Sequence, residues 1–270
     1  MSGTLEFVVM GSGSSGGVPR ADGAWGACDP AEPRNRRSRC SMLVRRKSPL
    51  GPEHETTVIV DTSPDFRVQT AEAGVRRVDA VLYTHDHADQ AHGIDDLRAF
   101  YLNARRRTPC FMDPRTRATL ERRFDYIFVG EGGYPAICDP HDLPEDGQAW
   151  TIEGPSGAIP VVTFDQDHGD IRSVGYRFGD VAYSSDVVGL PESAFDILKG
   201  VRVWIVDALR YRAHPTHATV EQALGWIERV KPERAILTNL HIDLDYRTLA
   251  GELPSTVEPA YDGMTFQIDL

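Results

Sequence analysis

The stretch from Ala80 to Gly93 constrains this 270-residue chain more than any other part. Ala80-Val81-Leu82-Tyr83 is an apolar run that reads as a strand, and it breaks at once into Thr84-His85-Asp86-His87-Ala88-Asp89-Gln90-Ala91-His92-Gly93. Three histidines and two aspartates fall within the eight positions from 85 to 92. By the two-residue period of a strand, His85 and His87 point to one side, and a turn into the next helix brings Asp89 toward them. Imidazole nitrogens and carboxylate oxygens are the ligands that zinc and similar divalent ions take, with one position left open for water where the metal is catalytic. Solvated histidines in a polar loop are the plain alternative, and the density of ligands speaks against it.

The same device recurs. His168 follows Val161-Val162-Thr163-Phe164, Asp186 follows Val181-Ala182-Tyr183-Ser184, and His241 follows Ile236-Leu237-Thr238. A lone histidine in a loop is usually structural. Here separate strand ends each deliver a ligand, which points to a single edge of packed sheets.

Strands are predicted over 5–10, 40–45, 57–61, 80–83, 161–164, 173–178, 181–184, 203–207, 235–238 and 264–268. Helices are predicted over 64–73, 95–105, 114–123, 192–198, 219–230 and 245–251. Val220, Ala223, Leu224, Ile227 and Val230 keep 3.6-residue spacing, so that helix packs one face on a sheet. The stretch 124–147, with four glycines and three prolines, fits neither period and is expected to be an irregular loop. The mixture defines an α/β class with sheets covered by helices, and no linker divides it, so one domain over 1–270 is expected.

Charge narrows the partners. The chain carries 29 basic against 40 acidic residues, a net charge of −11, which disfavours broad adhesion to nucleic acid or an anionic membrane and leaves room for a compact phosphorylated substrate. Arg34, Arg36, Arg37 and Arg39, and a second cluster at 105–107, read first as solvated surface, while the 35–39 cluster, like Arg210 and Arg212, could also reach a substrate phosphate. No run approaches the roughly 20 apolar residues of a membrane span, the N-terminus lacks a signal-peptide pattern, and the four cysteines form no CxxC pair. A cytoplasmic setting with reduced thiols is the expectation. Gly11-Ser12-Gly13-Ser14-Ser15-Gly16-Gly17 could cradle a phosphate or serve as a turn, and it has no P-loop ending.

His85-Asp86-His87-Ala88-Asp89, placed after a strand, resembles the first signature of the metallo-β-lactamase-fold hydrolases. The glycine loop through Val18-Pro19 and the helix start Thr216-His217-Ala218-Thr219 are similar to the branch holding phosphoribosyl cyclic phosphate phosphodiesterases and, more distantly, ribonuclease Z. The likeness runs from about 5 to 268. It implies a four-layer αββα sandwich of two mixed sheets flanked by helices. It implies two divalent ions, zinc first and manganese second, with His85, His87 and His168 on one, Asp89 and His241 on the other, and Asp186 bridging. It also implies Asp89 and His217 in catalysis. Ser14, Ser15 and Arg210 are candidates for holding a nucleotide-like or cyclic phosphate. His217 read by itself could equally be an exposed first-turn residue, and Arg210 a surface residue. Gln90 departs from the pattern, since it stands where a second-metal histidine is expected and an amide oxygen is a poorer zinc ligand. His92 could substitute or lie on the surface. The activity implied is a phosphodiesterase, with a ribonuclease Z-like nuclease or a weakly active nucleotide- or metal-binding protein as alternatives. No stable nucleic-acid or membrane partner is expected, and a homodimer is left open.

Overall fold

The computed structural model describes residues 3–270; Met1 and Ser2, which the expected domain includes, lie outside the described residues. The first half of the chain supplies β1 (Thr4–Gly11), β2 (Ser41–Arg46), β3 (Thr56–Val60), β4 (Ala80–Leu82), β5 (Thr108–Met112), a small hairpin of β6 (Gly130–Glu131) and β7 (Tyr134–Pro135), and β8 (Cys138–Asp142). The second half supplies β9 (Ala149–Ile152), β10 (Ile159–His168), β11 (Ile171–Phe178), β12 (Val181–Ser184), β13 (Val203–Asp207), β14 (Arg234–Thr238), β15 (Val257–Pro259) and β16 (Met264–Asp269). They form two seven-stranded sheets, ordered β16-β1-β2-β3-β4-β5-β8 and β15-β14-β13-β12-β11-β10-β9.

Both sheets are mixed. β16, β1, β2 and β3 pair antiparallel while β3, β4, β5 and β8 pair parallel, and in the second sheet β9 to β12 are antiparallel while β12 to β15 are parallel. Parallel neighbours need crossovers, so the helices fall in those halves. On the first sheet lie α1 (Phe66–Glu72), α2 (Ala88–Ala91), α3 (Leu97–Ala104), α4 (Pro114–Arg123) and α5 (Asp125–Phe128). On the second lie α6 (Glu192–Leu198), α7 (Val220–Val230) and α8 (Tyr246–Glu252).

Strand alternation makes the four layers. Leu5, Phe7 and Val9 of β1 enter the layer between the sheets, with Met42, Val58, Val174, Tyr176 and Ile205, whereas Val8 and Met10 face the helices with Leu43, Ile59 and Phe66. Both faces are buried, so β1 reads as a continuous apolar run. Phe7 stacks on Phe266 at 5.2 Å and meets Phe178 edge-on at 6.3 Å, which ties the two sheets together. The outer layer of the second sheet sets Trp204, Val206 and Leu237 against Val220, Ala223 and Ile227, the apolar face predicted for that helix. This is the αββα sandwich that the resemblance implied.

The stretch 124–147 is a correction to the sequence reading. It holds α5, the β6–β7 hairpin and β8, which pairs in parallel with β5 as the last strand of its sheet. Pro140 is tolerated at an edge, where a missing N–H breaks no ladder. β5, β9 and β15 were not predicted, and β3 and β4 stop at Val60 and Leu82, one residue short of expectation. No helix among the described residues is long and apolar enough to cross a membrane.

Candidate metal centre

The carboxyl ends of parallel strands open on one side of the molecule, the usual place for ligands in α/β sheets. Three of these ends turn through the left-handed region on non-glycine residues: Asp61 after β3 (φ 62°), Asp186 after β12 (φ 56°) and Asn239 after β14 (φ 62°). Aspartate and asparagine are the residues that tolerate this conformation, and such strain gathers at functional sites. Asp61 uses it to accept from Thr84 N (2.8 Å) and Thr84 Oγ1 (2.8 Å), and Thr84 Oγ1 lies 3.0 Å from His85 Nδ1. The relay fixes the His85 ring and leaves its Nε2 for another partner.

That Nε2 is buried and has no hydrogen-bond partner in the protein. Burial holds His85 far below the usual histidine range, at about 3, with Asp186 opposing and His168 and His87 adding to the effect. A neutral imidazole with an idle lone pair inside a protein is what a metal ligand looks like before the metal is considered. His85, His87 and His168 bring one ligand atom each within 4.8 Å of one another, and so do His168, Asp186 and His217. His168 Nε2 and His87 Nδ1 are 3.3 Å apart, close to the ~3.4 Å separating two nitrogens on one tetrahedral zinc. His168 Nδ1 donates to the Thr216 carbonyl at 2.7 Å, which frees Nε2. Asp186 Oδ1 is 4.0 Å from His85 Nε2, 4.0 Å from His168 Nε2 and 3.9 Å from His217 Nε2. Burial works against the Asp186 carboxylate, but the surrounding histidines and Ser185 outweigh it and hold it at about 2. The residues present fit a divalent cation at this point.

His85 and His87 lie beyond the end of β4, so a turn rather than the strand pleat brings their rings to 4.5 Å. His87 stands at the N-cap position of α2, its side chain making no capping bond, and Asp89 sits in the first turn. Burial and the nearby Asp186 raise Asp89 to about 6. His217 stands just before α7, whose first turn is capped by Thr219 Oγ1 accepting from Gln222 N. Its Nδ1 donates to the buried Asp207 Oδ2 at 2.8 Å. Burial pulls His217 down, yet Asp207, Asp186 and Asp89 together raise it to about 9. His241 lies outside both groups of converging ligands and faces Arg20, with His241 Nε2 2.5 Å from Arg20 Nη2. His92 is exposed and packs edge-on against Phe124.

A cleft of about 610 Å³ opens beside the centre, lined by Ser15, Gly16, Arg20, Arg39 and Asp89 among others. Ser15 therefore reaches it, whereas Ser14 is buried and does not line it, and Arg210 spends its guanidinium on the Arg212 and Ala213 carbonyls of its own loop. Arg20, Arg39 and Asp207 were not selected from the sequence. Arg39 stood in a cluster that the sequence left open between solvated surface and phosphate contact, and Asp207 marked only the end of a strand.

A family model described as the beta-lactamase superfamily domain matches residues 56–242. The chain belongs to that superfamily and has the fold of its metal-dependent hydrolases. A solved structure described as a new diphosphatase from the PhnP family superposes with a TM-score of 0.86 at 29% identity, covering 100% of this chain and 99% of that one. The short form of human tRNase Z superposes at 0.65 with 15% identity, over 97% and 98% of the two chains, which is a likeness of fold. Among curated proteins, an octanoyltransferase of Porphyromonas gingivalis (strain ATCC BAA-308 / W83) is 30% identical over 98% of this chain and 52% of its own length. The chain thus spans about half of that relative.

Proposed function

We propose that this chain is a metal-dependent phosphodiesterase acting on a small nucleotide-like or cyclic phosphate ester. The observation that carries this reading is the placement of two arginines, Arg20 and Arg39, with Asp89 in one cleft beside the His85–His87–His168 cluster. Guanidinium forks match phosphate oxygens, and a cleft of this size suits a mononucleotide-like ligand better than a folded RNA. The net charge of −11 also disfavours a nuclease that must hold a polyanion. The name of the PhnP-family relative lends support to phosphoryl chemistry. The octanoyltransferase name belongs to a chain about twice as long, and the two guanidiniums in the cleft suit an anionic ester over an acyl group.

A divalent ion held by His85, His87, His168 and Asp186 would supply Lewis-acid polarisation of a phosphoryl oxygen and activation of water. In this reading Asp89, raised to about 6, orients the attacking water and takes its proton near neutral pH. His217, protonated below about 9, donates from Nε2 to the departing alkoxide while Asp207 holds Nδ1. Arg20 and Arg39 bind the non-bridging oxygens. The four cysteines are buried free thiols, which suits a reducing cytoplasm as part of the same proposal.

The test is metal content of the purified protein alongside turnover of bis-p-nitrophenyl phosphate with added zinc or manganese. Bound metal and metal-dependent diester turnover are expected. Metal retention with no hydrolysis of diesters or nucleoside diphosphates would overturn the phosphodiesterase reading.

A further inference from the structure

We infer that the centre is built for one divalent ion, with the Gln90 amide and the Arg20 guanidinium standing where a second would be held. The inference rests on the metal-hydrolase reading above. Once His85, His87, His168 and Asp186 Oδ1 are assigned to one ion, with His217 Nε2 facing that same Asp186 oxygen at 3.9 Å, the donors left for another are Asp89, Asp186 Oδ2 and His241. All of them already face nitrogen donors of the chain. Gln90 is fully buried; its Nε2 donates to Asp186 Oδ2 at 3.0 Å and lies 3.4 Å from Asp89 Oδ2. Ser185 Oγ donates to the same Asp186 oxygen at 2.5 Å, so two donors occupy the oxygen that would have to bridge. The two carboxylates require the amide NH₂ on their side, and Gln90 Oε1 is accordingly left buried without a partner.

His241 is engaged in the same way. Arginine has no acceptor, so the 2.5 Å contact from Arg20 Nη2 requires an unprotonated His241 Nε2, and the ring proton then sits on Nδ1 facing Asp243 Oδ2 at 3.1 Å. The lone pair a second ion would use is spent on Arg20. A divalent ion brought here would have to displace both donors and lie beside a fixed positive charge. Arg20 lines the cleft with Asp89, so it supplies cationic charge at the phosphate-facing edge without a metal. A second ion, expected from the resemblance, does not fit the residues present.

The experiment is native mass spectrometry of the whole chain after loading with excess zinc and desalting. The wild type is expected to retain one zinc per chain, and the Arg20→Ala/Gln90→His protein to retain two. Two zinc ions on the wild type overturn the inference, and so does a folded double variant that still retains one. Should the double variant fail to fold, the wild-type stoichiometry decides by itself. No zinc on the wild type would overturn the metal reading as a whole, an outcome distinct from two.

Discussion

Asp207 Oδ2 accepts from His217 Nδ1 across 2.8 Å at the carboxyl end of β13, inside the protein, and this contact sets the charge on the ring that reaches toward Asp186. The contact gives a pH dependence with a definite sign. His217 is cationic below about 9 and loses its proton above, so a step that uses it as an acid fails as pH rises through that value. Asp207→Asn removes the negative charge while burial continues to disfavour the cation, so the alkaline limb of the kcat/KM profile should move down by about one pH unit or more. An unmoved limb in the variant would take the proton from some other group.

His217→Ala should spare metal, because the His85, His87 and His168 ligand atoms converge without it. The chemical step should slow by about 100-fold or more on an alkyl ester and by much less on a p-nitrophenyl ester, whose leaving group needs no acid. Equal losses on the two substrates would make His217 a binding group.

Thr84 tests the support of the metal site from behind. Its hydroxyl lies 2.8 Å from Asp61 Oδ2 and 3.0 Å from His85 Nδ1. Thr84→Val keeps the shape and removes the link, and zinc affinity should fall about 10–100-fold with the fold retained. Competition with a chromogenic chelator measures it, and a wild-type affinity in the variant would leave the relay without a role in binding.

The sequence carried the converging residues better than it carried their surroundings. His85, His87 and Asp186 each follow an apolar strand and His168 is the last residue of β10, four positions beyond the end expected from the sequence, and that local pattern is enough to bring them out. Arg20 and His241 are 221 positions apart and meet only through the fold, so spacing says nothing of their contact. Asp207 and His217 are ten apart, but the turn between them is irregular and a strand-ending aspartate looks like many others. β5 and β8 were hidden by Pro109 and Pro140, which local propensity counts against a strand although the parallel pairing holds.

The glycine loop offers a test through Asp262, whose Oδ1 accepts from Ser12 N (2.9 Å) and Oγ (2.8 Å) and whose Oδ2 accepts from Ser38 N (2.6 Å) and Oγ (2.6 Å). Burial outweighs those four bonds and raises the carboxyl from 3.8 to about 6. A carboxyl raised on folding binds its proton more tightly in the native state. Its contribution is therefore fully present below about pH 4 and is lost as pH rises through about 6. Asp262→Asn cannot ionise, and its amide turns one donor toward Ser38, so the variant should be less stable than wild type at pH 4. The gap should then narrow toward pH 7, because only the wild type pays for the buried charge, while groups common to both proteins cancel in the difference. Urea midpoints for the two proteins from pH 4 to 7 measure this directly. A gap that stays constant across the range would mean that Asp262 titrates as an ordinary carboxyl and that its hydrogen bonds compensate fully for its burial.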